Sequence, residues 1–402
     1  MRLLFLAEAV TLAHVARPIA LASGLAAAGH DIAIACAASY SRFASACGLP
    51  VLALHSLQPA QFLAALAAGR PVYDDATLVR YVDDDLRLMR AFQPDLVVGD
   101  FRLSLSVSAR LAGVPYAAIS NAYWSPACSL AYPLPELPLT RHLPLPLALA
   151  RLLFWLGRGL AMPRHCAPLN RLRRRHGLPA LRADLRSAYT DADHLLLADA
   201  PGLYPMTEVP AEHHFLGPVL WSPVVELPHW WRCLPADPPT VYLSLGSSGS
   251  GWALRQALQG MSGSGWTVIC ATAQASVPAE LSANLHLADY LPGEQATARA
   301  DLVVCNGGSM SCQQALLAGR AILGIASNMD QFLNMSAIVA AGAGICLRAD
   351  RVTPGAIRQA CHALLGQPAY ARASAQLGEK LRQFDAVERF RALLPTLAGR
   401  GS

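Results

Sequence analysis

The chain has 402 residues, 53% hydrophobic and 15% charged, with 29 Gly and 29 Pro, enough apolar material for two or three domain cores and too little charge for a disordered chain. Its 32 basic residues include one lysine, Lys380, set in Gly-Glu-Lys-Leu-Arg with no glycine-rich loop before it, so a Schiff-base or pyridoxal-phosphate lysine and a Walker A loop are excluded. A net charge of +5 over this length, without a recognition-module signature, argues against a nucleic-acid partner.

Along the chain, Leu3 to Ala7 reads as a strand. Glu8 cuts the apolar run of Met1 to Val10, which favours a buried first strand over a signal peptide. Val15 to Ala28 is a helix ending at Gly29, and Asp31 to Ala35 and Val51 to Leu54 are strands. A long helical stretch with Asp and Arg on its polar face leads to a strand at Leu96 to Val98. Ser104 to Leu111 is a helix stopped by Gly113, and Tyr116 to Ile119 is a fifth strand. Alternation at this spacing implies βαβ units and a parallel sheet.

Pro126 to Pro179 is rich in Leu, Pro and Arg, with an apolar helix candidate at Leu147 to Leu156 and a basic cluster at Arg171, Arg173, Arg174 and Arg175. It reads as an amphipathic helical pair with a solvated arginine face, as an acceptor-binding cap or as a membrane-surface patch. No transmembrane helix is expected, since the most apolar stretch, Leu143 to Met162, contains Arg151 and Arg158. Phe215 to Pro239 carries Pro218, Pro223, Pro228, Pro235, Pro238 and Pro239 and reads as a linker. The strand pattern then resumes at Val241 to Leu245, Thr267 to Ala271, Leu285 to Leu287, Leu302 to Cys305, Ala321 to Ile325 and Gly344 to Leu347. The expected fold class is α/β, with two doubly wound parallel-sheet domains, and ligands in such sheets bind at the carboxyl ends of the strands.

Ten scattered cysteines lack a CxxC pair or zinc spacing and read as buried thiols of a reducing cytoplasm. Asp191-Ala-Asp193 has a metal-binding form but precedes an apolar run with no partner ligand, so no metal site is expected.

The chemistry concentrates in Asp301 to Gly344. A strand runs into Asn306-Gly307-Gly308-Ser309, and a helix starts near Ser311. Glycines at such a turn let backbone amides approach an anion, and the helix N-terminus favours negative charge. Asp330, Gln331 and Asn334 follow the next strand with groups suited to sugar hydroxyls. Gly246-Ser247 ends the first strand of the second half.

This set resembles the donor-binding signature of the family-one, UDP-glycosyltransferase-like enzymes of GT-B fold, whose pattern runs His-Gly-Gly, Gly/Asn-Ser/Thr, Glu-Ala-Leu, Gly-x-Pro and Asp-Gln-x-x-Asn. The Ala13-His14 turn, Phe215-Leu-Gly-Pro and Tyr290-Leu291-Pro292 fall in the family's order. The resemblance implies two Rossmann-like domains facing across a cleft: an acceptor domain (1–205), a linker (206–239), a nucleotide-sugar domain (240–375) and a C-terminal helix returning to the first domain (376–402). It implies that Ser247, Gly308, Ser309 and Ser311 contact the diphosphate, that Tyr290 and the Leu291 backbone meet the nucleobase, and that Asp330 and Gln331 bind the donor sugar. Asn306 stands where the family has histidine, and Gln314 where its glutamate holds the ribose, which makes a deoxyribose donor of the dTDP type more plausible beside UDP.

His14 matches the family's catalytic histidine and Asp100 the aspartate that orients it. Inverting transfer needs the acceptor hydroxyl deprotonated as it attacks, a task suited to a side chain with a reference pKa of about 6.5. Arg17, where relatives have proline, reads either as a phosphate or acidic-acceptor contact or as a solvated residue. The expected activity is a metal-independent, cytoplasmic, inverting glycosyltransferase moving a hexose or deoxyhexose from a nucleoside-diphosphate sugar, with no resident cofactor, to a hydroxyl of a small hydrophobic molecule in natural-product or glycolipid biosynthesis. The alternatives are a catalytically silent partner protein and a sugar-nucleotide epimerase or hydrolase.

Overall fold

The computed structural model describes residues 1–143, 145–277 and 282–399. The chain divides into two compact units. The first comprises Met1–Ala131, Ala148–Val219 and Phe384–Ser402, and the second comprises Tyr132–Leu147 and Leu220–Gln383.

The first unit is built on β1 (Arg2–Ala7), β2 (Asp31–Cys36), β3 (Val51–Ala53), β4 (Leu96–Asp100), β5 (Tyr116–Ser120), β6 (His194–Leu197) and β7 (His213–Phe215). They form one sheet in the order β3-β2-β1-β4-β5-β6-β7, with every pairing parallel. The helices between them are α1 (Leu12–Leu25), α2 (Ala38–Ser45), α3 (Pro59–Ala67), α4 (Asp75–Phe92) and α5 (Leu105–Ala112). Parallel strands covered on both faces read as continuous apolar runs, and Leu4, Phe5, Leu6, Val97 and Val98 are all fully buried.

β7 lies inside the stretch read as linker. Two adjacent histidines and one phenylalanine give it no apolar run, and its place comes from pairing with β6. The segment Tyr132–Leu147, with α6 (Pro138–His142), groups with the second unit. Arg348 ties it there by donating to the carbonyls of Leu134 at 2.7 Å and Pro135 at 3.1 Å.

Instead of a helical pair, Leu147–Arg175 forms one 29-residue helix, α7, that continues through Pro163 and Pro168. The arginine face is not uniformly solvated: Arg173 is buried against Asp191, and Arg171 pairs with Asp75. A short helix, α8 (Leu185–Tyr189), follows.

The second unit carries β8 (Thr240–Ser244), α9 (Gly251–Met261), β9 (Thr267–Ala271), β10 (Leu285–Ala288), α10 (Gly293–Arg299), β11 (Leu302–Cys305), α11 (Ser309–Leu317), β12 (Ala321–Ala326), α12 (Met329–Ala340) and β13 (Gly344–Arg348). α13 (Pro354–Gly366) and α14 (Pro368–Leu381) complete it. Its parallel sheet runs β10-β9-β8-β11-β12-β13 over a core that includes Leu243, Val304 and Leu323.

The last helix, α15 (Ala386–Leu397), belongs to the first unit. It packs so closely on α1 that a Cβ at Gly24 would lie 2.4 Å from Val387 Cγ1. Phe390 meets Phe5 edge-on with ring centroids 6.1 Å apart.

Candidate functional site

In the first unit the candidate residues lie at the carboxyl ends of β1, β4, β5 and β6. His14 occupies the first turn of α1, and Asp100 is the last residue of β4. His14 Nδ1 lies 2.7 Å from Asp100 Oδ1, with the carboxylate fully buried and the imidazole partly exposed. An ionised carboxylate only accepts, so Nδ1 carries the hydrogen, and in the neutral ring Nε2 keeps its lone pair.

Arg17 is neither solvated nor free for a substrate. It is buried one turn along α1 and donates from Nε to Asp100 Oδ2 at 2.8 Å and from a terminal nitrogen to Oδ1 at 2.8 Å. Its other terminal nitrogen donates to Asn121 Oδ1 at 2.8 Å. Asn121 in turn donates to Asp199 Oδ2 at 3.0 Å, and the Ala122 amide donates to the same oxygen at 2.7 Å. The residues following β5 and β6 thereby brace the one that ends β4.

Phe101, directly after Asp100, stacks on the His14 ring at 4.8 Å with 14° between planes. Its φ of 56° is in the left-handed region that side chains rarely adopt. Both chain neighbours anchor it there, Asp100 as described and Arg102 through a second buried cluster. Arg102 donates to Asp85 Oδ1 at 3.0 Å, to Glu8 Oε2 at 2.9 Å and to the His55 carbonyl at 2.6 Å, and it lies 3.5 Å above the Tyr81 ring. The Tyr81 hydroxyl donates to Glu8 Oε1 at 2.7 Å. Two buried carboxylates share one guanidinium, so burial pushes both Glu8 and Asp85 upward even though Arg102 pulls them down.

In the second unit, the β8 and β11 turns are joined through side chains. Gly246 has φ 63° and Gly307 φ 83°. Asn306 Nδ2 donates to Ser248 Oγ at 3.0 Å, and Asn306 Oδ1 accepts from the Gly308 amide at 3.0 Å. A Cβ at Gly307 would sit 2.7 Å from Met335 Cγ, and Asn334 Nδ2 holds the Gly307 carbonyl at 2.8 Å.

Gln331 closes a capping box on α12. Its Oε1 accepts from the Ser327 amide at 2.8 Å, while its own backbone amide donates to Asn328 Oδ1 at 3.0 Å. Asp330 is half-buried in the same first turn. Glu136, buried with its Oε1 unpartnered, rests against this loop through a 2.7 Å bond from its amide to the Ser327 carbonyl. Burial raises the Glu136 carboxyl, opposed by Arg141.

Gln314, on α11, donates from Nε2 to the Trp221 carbonyl at 3.3 Å and to Ser222 Oγ at 3.2 Å, which leaves Oε1 as its free acceptor. α10 begins against it: a Cβ at Gly293 would lie 2.7 Å from that oxygen. Leu291 is buried and Tyr290 half-buried just before α10. Ser309 and Ser311 lie in the first turn of α11, whose N–H groups lack intrahelical partners at that end.

A family model described as erythromycin biosynthesis protein CIII-like, C-terminal domain, matches residues 266–383. Over 378 residues the chain is 46% identical to a PGL/p-HBAD biosynthesis rhamnosyltransferase of Mycobacterium bovis (strain BCG / Pasteur 1173P2), covering 94% of this chain and 84% of that protein. The chain belongs to this glycosyltransferase family. A relative from the same strain, 46% identical over 62% of this chain and 67% of its own length, is called an inactive PGL/p-HBAD biosynthesis glycosyltransferase. Among solved structures, the spinosyn rhamnosyltransferase complexed with thymidine diphosphate superposes with a TM-score of 0.70 at 18% identity, over 98% of this chain and all of that one, which places the fold as GT-B.

Within each unit of this glycosyltransferase the predicted residues cluster. His14 and Asp100 meet directly, and Gly246, Asn306, Gly307, Gly308 and Gln331 surround Ser248 or adjoin residues that do. The sequence reading missed Asn121, Asp199, Phe101, Ser248 and Trp221. Asn121 and Asp199 had a usable signal, since each follows the carboxyl end of a strand, where such sheets place their chemistry. Asp191 and Asp193 are taken up elsewhere, in ion pairs to Arg110 and Arg173 and in a bond from the Tyr116 amide.

Proposed function

We propose that this glycosyltransferase moves a hexose or deoxyhexose, with inversion at the anomeric carbon, from a nucleoside-diphosphate sugar to a hydroxyl of a small hydrophobic acceptor, with His14 as general base. The observation that carries this is the 2.7 Å contact between His14 Nδ1 and the buried Asp100 carboxylate, because it leaves Nε2 as the proton-accepting atom. As the acceptor oxygen attacks, Nε2 takes its proton, and Asp100 stabilises the imidazolium that forms, a contribution of about 10²- to 10⁴-fold in rate. Arg17 fixes the carboxylate, and Phe101 fixes the plane of the ring.

On the donor side, Gly246, Ser247, Gly307, Gly308, Ser309 and Ser311 are assigned to the diphosphate, Tyr290 and Leu291 to the nucleobase, and Asp330 to the sugar. Gln331 is assigned there too, through Nε2, since its oxygen serves the cap. Gln314 supports a deoxyribose nucleotide: with Nε2 committed to Trp221 and Ser222, one oxygen remains to accept one hydroxyl, which matches a sugar lacking its 2′ oxygen. A relative named a rhamnosyltransferase and a structural neighbour holding thymidine diphosphate point the same way. The names of the curated relatives favour a glycolipid or natural-product acceptor. Ten free cysteines support a reducing, cytoplasmic setting, and no helix among the described residues is long and apolar enough to cross a membrane. We assign no metal and no resident cofactor to the reaction.

The test is incubation of the purified protein with dTDP- and UDP-sugars, with and without hydrophobic alcohols and phenols. Acceptor-dependent release of the nucleoside diphosphate is expected. Donor turnover at full rate without acceptor overturns the reading.

A further inference from the structure

The first half of α7 has the composition of a buried segment and the position of a surface one. Between Leu147 and Ala161 only Arg151 and Arg158 are charged, yet among these residues Ala150 alone is buried. A helix apolar nearly all round is normally covered. Here Leu149, Leu152, Leu153, Leu156 and Leu160, spaced i, i+3, i+4, i+7 and i+11, form one exposed stripe flanked by Trp155; Leu160 is 84% exposed and Trp155 60%. At 1.5 Å per residue the stripe is about 16 Å long.

The same face changes character one turn further on. The 3.6-residue repeat carries it through Arg164, Arg171 and Arg174, all exposed, with Arg175 beside them. Arg171 is paired with Asp75, and the others are not matched by acids of their own helix. From Leu137 to Ala183 the chain has nine of its 32 basic residues and none of its 27 acidic ones. Exposed leucines and a tryptophan that continue into arginines, on one face of a helix that has no acid of its own, match the two layers of a bilayer surface: acyl chains first, then anionic headgroups.

We propose that this face of α7 docks the enzyme on an anionic lipid bilayer, lying in the interface with its leucine stripe inserted and its arginines on lipid phosphates. Such a surface is where a hydrophobic acceptor is concentrated. The docking itself requires no turnover, so it stands or falls separately from the proposed reaction.

The full chain is mixed with vesicles of phosphatidylcholine alone or with phosphatidylglycerol added, then floated on a density gradient. Flotation is expected with the anionic vesicles, about tenfold weaker with the neutral ones, and reduced when salt is raised from about 0.1 M to about 0.5 M. Leu156→Asp combined with Leu160→Asp abolishes it, and Arg164→Glu with Arg174→Glu removes only the anionic preference. These positions are exposed, so unchanged thermal melting accompanies both variants. Absence of flotation by the native chain overturns the proposal. So does a native dimer that Leu156→Asp converts to a monomer without any vesicle binding, which gives the stripe to a second copy. Loss of affinity for a water-soluble acceptor with flotation intact gives it to the acceptor and also overturns the docking.

Discussion

Arg17 grips both carboxylate oxygens of Asp100, at 2.8 Å to each, so the group that orients His14 is itself locked by a fork that only arginine supplies. Removing one partner of a buried pair leaves the other charge uncompensated, at a cost of about 3–5 kcal/mol. Arg17→Met is therefore expected to lower unfolding stability by that amount in urea titration, and to lower transfer activity as well. Unchanged stability would show that Asp100 is balanced by something else.

His14→Ala removes a partly exposed ring, its bond to Asp100 and its stack on Phe101, while Arg17 still balances the carboxylate, so the variant should stay folded and melt less far below the native enzyme than Arg17→Met does. Its kcat is expected to fall about 10²- to 10⁴-fold with the donor KM little changed. A variant with native turnover would remove His14 as the general base.

Gln314→Glu exchanges an amide that donates to the Trp221 carbonyl for a carboxylate that cannot. The side chain then turns both oxygens to the nucleotide, and two acceptors suit a ribose with two hydroxyls. Isothermal titration should show dTDP bound at least as tightly as UDP by the native chain, with the ratio moving toward UDP in the variant. A ratio indifferent to this change would separate Gln314 from the ribose.

Glu8 has its carboxyl raised from 4.5 by burial, against the pull of Arg102. A raised acid binds a proton more readily folded than unfolded, so its contribution to stability is present at low pH and is lost as pH rises through the folded value. Glu8→Gln has no such titration. Whatever its absolute stability, the gap to the native chain should close in the variant's favour as pH climbs from about 4.5 toward 8, read from urea titrations at each pH. A gap that widens with pH would show the pair to be governed by Arg102 instead.

Strands with continuous apolar runs, such as β1, β4, β9 and β11, were legible because both of their faces are buried, and the glycine turns after β8 and β11 were legible because local chain geometry requires them. What escaped notice depends on residues distant in sequence. β7 exists only against β6, and Tyr132–Leu147 is claimed by Arg348 more than two hundred residues on. Arg17 read as a phosphate or acidic-acceptor contact or as a solvated residue because its acceptors, Asp100 and Asn121, come from distant parts of the chain. Gln331 stands in a motif whose resemblance implies a sugar contact, yet the motif cannot reveal that its carbonyl oxygen is spent on a helix cap.

Among the described residues four arginines lie in the interior, Arg17, Arg102, Arg173 and Arg186, each serving several acceptors that a single ammonium could not span. Because the folded molecule delegates no structural cation to lysine, amine-directed chemistry meets one side chain of this sequence, Lys380, near the end of α14. Acetylation, carbamylation or an activated-ester dye should therefore leave the internal charge arrangement intact, and a fluorophore or surface tether can be placed on the second unit without engineering the chain.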